Sequence, residues 1–183
     1  MILGIHLVWT CYGWWFPNDP RGSWSKDVWS PELRELGKNA ARGRRSVQPS
    51  GDKLNKYIST AQERLKHAPV ELNGIMRRTA KTAIMRQARL NNYVIMALAV
   101  MPRHAHAVVL RHNHAQGRIV RGFKAVSSRE IRKLLAASFT RRDDRAENSA
   151  TDKIPVWSRG YWARFLNTEP DIKAAVDYVK SHD

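Results

Sequence analysis

The chain has 183 residues, of which 43% are hydrophobic, and this length and composition suit one domain with a core of its own. The formal net charge of +16 indicates a polyanionic partner, with nucleic acid as the first class to consider. The one cysteine, Cys11, excludes an intrachain disulfide, and no apolar run is long enough to span a membrane, so a cytoplasmic protein without a membrane partner is expected.

The first third of the chain predicts a strand followed by loops and a short helix. Residues 2–12 are rich in Ile, Val, Leu and aromatic side chains, which predicts a strand. Residues 13–22 hold several turn formers, and residues 38–53 are basic with few large apolar side chains. Both segments therefore predict loops, the second exposed. Residues 54–65 place apolar side chains on one helical face.

The middle of the chain alternates helices and strands. Residues 69–91 have the clearest helical spacing of apolar side chains, and Pro69 suits the first turn. Residues 93–101 form a nearly continuous apolar run, which indicates a buried strand. Residues 104–111 predict a second strand, paired with the first as a hairpin, and residues 117–137 predict another helix.

The last elements complete the predicted fold. Residues 138–153 are polar and predict a surface loop, and residues 156–166 predict a strand. Thr168 then caps a final helix that has a proline in its first turn. The order predicts an α+β, ferredoxin-like split βαβ fold, in which an antiparallel sheet carries two helices on one face and a C-terminal helix is added. We expect a single domain over residues 1–183, with a basic insertion at about 17–68.

The tripeptide around Ala105 is a candidate metal-binding motif. Side chains alternate along a strand, so His104 and His106 point to one face and can chelate one divalent ion. Two surface histidines on a half-exposed sheet would have the same pattern. His112 and His114 repeat the spacing, but they lie where the strand should end, and a solvated turn is favoured there.

The final helix holds a candidate nucleophile. Tyr178 and His182 are four residues apart and share one helical face. At about 100° per residue, Tyr178 falls at the edge of the apolar stripe, where a ring can pack while its hydroxyl reaches a cleft. A half-buried packing tyrosine remains the alternative. The stripe itself consists of Ile172, Ala175, Val176 and Val179.

Five stretches carry a family resemblance that covers most of the chain, and they are residues 6–10, 101–109, 123–128, 157–162 and 178–182. Taken in order, they resemble the IS200/IS605-like transposases of the HUH, single-tyrosine class, and within that class the REP-associated tyrosine transposases. Residues 12–22 resemble one subset of that branch.

The resemblance implies an enzyme that cuts and rejoins single-stranded DNA near hairpins formed by imperfect palindromes. It implies Tyr178 as the nucleophile, giving a 5′-phosphotyrosine and a free 3′-OH, with Mg²⁺ or Mn²⁺ held by His104, His106 and His182. Bond energy is retained in the phosphotyrosine, so no nucleotide cofactor is expected. Family members occur as monomers and as homodimers with shared active sites.

Three departures from the family pattern stand out. Arg103 precedes the first histidine where the family often has aspartate, and His182 stands where a glutamine ligand is common. Imidazole is a sound ligand and favours Mn²⁺ over Mg²⁺. The chain also ends one residue after His182, where the resemblance implies a longer tail.

Charge and aromatic side chains predict how DNA would bind. Lys124, Arg159, Arg103 and Arg77 are candidates for contacts with the DNA backbone. Tryptophans can stack on unpaired bases, although core packing is the commoner role. The candidates for stacking are Trp14, Trp15, Trp24 and Trp162.

Three other functions remain open at this point. A rolling-circle initiator or relaxase also pairs a histidine strand with a tyrosine helix, but usually has a lysine near the tyrosine and further domains. A domesticated, non-catalytic DNA-binding relative would not need the retained tyrosine and histidines. An RNA-binding domain of the same shape would need exposed aromatic side chains on its central strands, and residues 96–101 have none.

Overall fold

The computed structural model describes the chain in five stretches, which are residues 1–22, 28, 31–36, 51–139 and 155–182. They form two compact units, one of Cys11–Val70 and one of Met1–Thr10 with Glu71–Asp183. The loops predicted at 38–53 and 138–153 lie largely outside the described residues. None of the helices in these stretches has the length and apolar character needed to cross a bilayer.

In the described part of the smaller unit lie two helices, α1 (Pro31–Arg34) and α2 (Asp52–Glu63), and α2 confirms the short helix predicted near residue 54. It has an apolar cluster of its own, formed by Phe16, Val28, Leu33 and Ala61.

Among the residues that the structure describes, the larger unit contains four strands and three helices. In chain order they are β1 (Gly4–Thr10), α3 (Gly74–Leu90), β2 (Ile95–Val100), β3 (His104–Leu110), α4 (Gln116–Phe139), β4 (Trp162–Leu166) and α5 (Glu169–Lys180).

The four strands form one antiparallel sheet in the order β2-β3-β1-β4. The central strands β1 and β3 pair so that Val8 faces His106 and Thr10 faces His104. This is the order expected of a split βαβ fold, and it confirms the predicted fold class.

Helices cover both faces of the sheet. One face meets α4, where the rings of Trp9 and Phe123 lie 6.2 Å apart, and α3 packs beside α4. The other face carries α5, whose buried Val176 and Val179 pack on Val108 and on small alanines of β2. The short alanine side chains let the helix lie close to the sheet, so α5 is held directly over the face that bears the histidine pair.

Two predicted boundaries are wrong. The helix predicted from residue 69 begins at Gly74, because the Asn73 side chain accepts a hydrogen bond from the Met76 N–H and caps it there. The strand predicted from residue 156 begins only at Trp162. In the segment before it, the Ser158 N–H still bonds the Thr10 carbonyl of β1, and the carbonyls of Ser158, Arg159 and Gly160 accept from the ammonium group of Lys124.

Candidate active site

The face of the sheet below α5 gathers three histidines from two neighbouring strands. His104 and His106 come from β3, and His6 comes from β1, where its register partner is Val108. His6 and His106 are only 7% and 5% exposed. Their side chains form a hydrogen bond, with 3.1 Å between His6 Nε2 and His106 Nδ1. The sequence analysis did not identify His6 as a site residue.

Tyr178 approaches these histidines from α5. A capping box between Thr168 and Asp171 fixes the start of the helix. Ten residues later, the Tyr178 side chain lies at the edge of the buried stripe and is 50% exposed. Its ring centroid is 5.6 Å from that of His106 and 6.0 Å from that of His6. All of these side chains belong to one chain.

His182 lies one turn after the tyrosine, just beyond the end of α5. Its ring is 4.6 Å from the Tyr178 ring and 5.6 Å from the His106 ring. His182 Nδ1 donates to the backbone carbonyl of Tyr178 at 2.7 Å. A neutral imidazole with its hydrogen on Nδ1 keeps the lone pair of Nε2 available.

Burial keeps the sheet histidines neutral. It lowers the pKa of His106 to about 3, assisted by His104, His6 and His182. Burial also lowers the pKa of His104, with a further contribution from His182, and the pKa of His6, with a contribution from Arg164. Because their pKa values are lowered, the three rings are neutral at neutral pH. Neutral imidazole is the form that binds metal ions.

The donor chemistry and ring spacing fit a divalent ion. Two imidazoles that bind one ion at nitrogen–metal distances of about 2.1 Å hold their ring centroids about 5 Å apart. The centroids of His104 and His106 are 4.9 Å apart, and those of His106 and His182 are 5.6 Å apart. Within the described stretches, no three His, Cys, Asp or Glu side chains are arranged closely enough to hold a metal ion, so a third ligand would have to move towards the His104–His106 pair.

The second histidine pair lies in the turn after β3. Its ring centroids are 4.7 Å apart, but the hydrogen bonds differ from those of the first pair. His112 Nδ1 accepts from the backbone N–H of His114 at 2.9 Å, and His114 Nδ1 bonds the Tyr93 hydroxyl at 2.8 Å. The turn predicted at this pair is confirmed.

The predicted DNA-binding cations are placed differently from one another. Lys124 donates to the carbonyls of Ser158, Arg159 and Gly160 at 2.7, 3.3 and 2.5 Å, and burial lowers its pKa to about 8. Arg103 pairs with Glu71 at 3.3 Å in the exposed turn before His104. The Arg159 side chain is exposed, and Arg77 is half-buried.

The tryptophans also differ in accessibility. Trp162 is half-buried on the histidine face, with its ring edge-on to His6 at 5.8 Å. In the smaller unit, the Trp14 indole N–H donates a hydrogen bond to the Val70 carbonyl. The Trp15 ring is 40% exposed and is stacked against the Arg21 guanidinium. Trp24 lies outside the described residues.

Comparison with known proteins supplies the family. The family model described as "Transposase IS200 like" matches residues 58–182. A crystal structure of a candidate transposase from Deinococcus radiodurans R1 is 12% identical, with a TM-score of 0.42, and covers 100% of this chain and 92% of its own. A REP-associated tyrosine transposase bound to a REP hairpin is 13% identical, with a TM-score of 0.46, and covers 98% of this chain and 66% of its own. No curated protein sequence matches.

Proposed function

Since the chain belongs to the IS200-like transposase family, we propose that it cuts and rejoins single-stranded DNA with Tyr178 as the nucleophile and His104, His106 and His182 as metal ligands. The observation that carries the proposal is that the rings of Tyr178 and His182 each lie 5.6 Å from the His106 ring, and that His104 lies 4.9 Å from His106 on the same strand.

The metal would be Mg²⁺ or Mn²⁺. His106 and His182 each use Nδ1 in a hydrogen bond, so their Nε2 atoms are the nitrogens left to bind it, together with the His104 ring. When bound, the ion polarises a phosphate oxygen and stabilises the leaving 3′-oxygen. Three imidazoles favour Mn²⁺ over Mg²⁺, since Mg²⁺ prefers oxygen ligands.

Tyr178 supplies the covalent step. Its hydroxyl oxygen attacks the phosphorus, a phosphorus–tyrosine oxygen bond forms, and the bond to the 3′-oxygen breaks, leaving a 3′-OH. The phenol proton is lost during attack, and because the ring is half exposed the proton can pass to water. Reversal by another 3′-OH rejoins DNA without ATP, because the phosphotyrosine retains the bond energy.

The DNA would be held by charge and by stacking. Exposed Arg159 and half-buried Arg77 are backbone contacts in this proposal, with Arg103 beside the histidine strand. Lys124 must release a carbonyl before it can reach a phosphate. Trp162, next to His6, is the tryptophan best placed to stack on a base near the cut. Affinity should therefore fall steeply with salt, and a flat dependence would contradict the backbone contacts.

The decisive test is the polarity of a covalent adduct. A single-stranded oligonucleotide with a hairpin is labelled on either side of the cut and incubated with the protein and Mn²⁺. We expect a denaturation-resistant adduct that carries only the 3′-side strand, a free 3′-OH on the other strand, and neither product with chelator. An adduct that carries the 5′-side fragment instead, or cleavage without any adduct, would overturn the proposal.

A further inference from the structure

His6 lies directly beneath the proposed metal ligands and has no role in the function described so far. It sits in the middle of β1, is 7% exposed, and its Nε2 is 3.1 Å from His106 Nδ1. No other hydrogen bond to His106 Nδ1 is formed by the residues that the structure describes. The orientation of the His106 ring therefore depends on His6.

The direction of this hydrogen bond decides what His106 can bind. Two neutral imidazoles share one hydrogen in such a bond. If His6 Nε2 donates, His106 keeps its own hydrogen on Nε2, and that nitrogen has no lone pair for a cation. If His106 Nδ1 donates, Nε2 of His106 is a free ligand that faces away from the bond.

We propose that His6 is a positioning residue that accepts the Nδ1–H of His106, and so fixes the tautomer and ring orientation in which His106 Nε2 binds a divalent cation. The inference rests on the proposed function, because it assumes that His106 is a metal ligand. Partners that hold the remaining N–H of a ligating histidine typically change metal affinity about 10- to 100-fold when removed.

The packing around His6 supports this role. The Trp162 ring meets it edge-on at 5.8 Å, and the Tyr178 ring meets it at 6.0 Å. The His6 and His106 rings are tilted by 30° with centroids 5.3 Å apart. A buried imidazole enclosed by two large rings has few alternative rotamers, so it presents Nε2 to His106 in a fixed direction.

Mn²⁺ affinity in the absence of DNA tests the inference without relying on catalysis. We expect His6→Leu to weaken Mn²⁺ binding about 10- to 100-fold in titration calorimetry. His6→Gln, whose amide oxygen can accept the same N–H, should recover most of that loss. His112→Leu, which removes a histidine outside the proposed site, is the matched control and should bind Mn²⁺ as the unmodified chain does.

A spectroscopic measurement on the unmodified chain covers the case in which His6→Leu does not fold. With a diamagnetic ion such as Zn²⁺ bound, ¹⁵N shifts of His106 should show a protonated Nδ1 and a metal-bound Nε2. A protonated Nε2 on His106 would overturn the inference. The inference would also be overturned if His6→Leu bound Mn²⁺ with unchanged affinity while His106→Ala lost Mn²⁺ binding. In that case the proposed function would still stand. If neither His104→Ala nor His106→Ala lowers Mn²⁺ affinity, the metal site itself is wrong.

Discussion

The two histidine pairs of this chain have the same sequence spacing and nearly the same ring separation, 4.9 Å for His104 with His106 and 4.7 Å for His112 with His114. Their hydrogen bonds differ. His106 Nδ1 is bonded to another imidazole, which can accept its hydrogen. His112 Nδ1 accepts a backbone N–H, which forces the hydrogen of the neutral ring onto Nε2.

The comparison extends to the tyrosine beside each pair. The Tyr178 side chain is half exposed, and its hydroxyl forms no hydrogen bond with the residues that the structure describes. The Tyr93 side chain is 8% exposed, and its hydroxyl is bonded to His114. Spacing and ring distance therefore do not distinguish the pair proposed to bind metal from the other pair. The two pairs differ in the nitrogen left free by the neighbouring hydrogen bonds and in the accessibility of the adjacent tyrosine hydroxyl.

Replacing the two tyrosines tests this contrast most strongly. Tyr178→Phe should abolish the covalent adduct and reduce cleavage about 10³-fold or more, because it removes the nucleophilic oxygen but keeps the ring. Tyr93→Phe is the matched change at the other pair and should cleave normally. Both are measured as adduct yield on a hairpin oligonucleotide. An adduct with Tyr178→Phe would remove the nucleophile assignment.

Replacing the histidines tests the pairs themselves. His104→Ala and His106→Ala should each lower Mn²⁺-dependent cleavage about 10²-fold or more, because a ligand is lost. His112→Ala and His114→Ala should change it less than about threefold. Initial cleavage rates across a Mn²⁺ titration separate the pairs, and equal losses at both would break the distinction drawn here.

Acid should destabilise the folded chain, because His106 binds a proton more readily in the unfolded chain than in the folded one. The unfolded chain protonates His106 below about pH 6.5, whereas the folded chain resists protonation to about pH 3. The free energy of unfolding should therefore fall by about 1.4 kcal/mol over each pH unit inside this window. Denaturant melts with chelator should show a shallower pH slope for His106→Gln than for His112→Gln. Parallel slopes would contradict the buried neutral imidazole.

The smallest effect is expected at the second pair. Tyr93→Phe removes the hydroxyl bonded to His114 and should lower the free energy of unfolding by about 1 kcal/mol. Urea unfolding at pH 7 measures the change. A loss several times larger would mean that this cluster contributes more to the fold than one hydrogen bond.

Much of the fold could be predicted because the apolar periodicity is strong and the order of elements is distinctive. The strand alternation at His104 and His106 correctly placed both on one face. The sequence did not identify His6 because its contact with His106 depends on the register in which β1 pairs with β3. That register cannot be read from the residues of either strand alone. Its position in β1, on the same alternation as Val8 and Thr10, was the one signal available.

The boundary errors have similar causes. Asn73 is a stronger helix start than Pro69, but the competition is settled by a side-chain hydrogen bond to Met76. Just before β4, the Ser158 carbonyl accepts from Lys124, a residue 34 positions earlier, and a contact over that distance cannot be anticipated from the local sequence. Lys124 was predicted as a DNA contact from its charge alone, and that role stays a prediction.

The capping box at the start of α5 fixes the rotational position of Tyr178, the proposed nucleophile, around the helix axis. Thr168 and Asp171 determine where the helix begins, and Tyr178 follows ten residues after Thr168. One residue inserted between them would rotate the phenol by about 100° around the helix axis and advance it by about 1.5 Å. The segment between Thr168 and Tyr178 should therefore tolerate substitutions far better than insertions or deletions, because only a change in length rotates Tyr178 away from the histidine face.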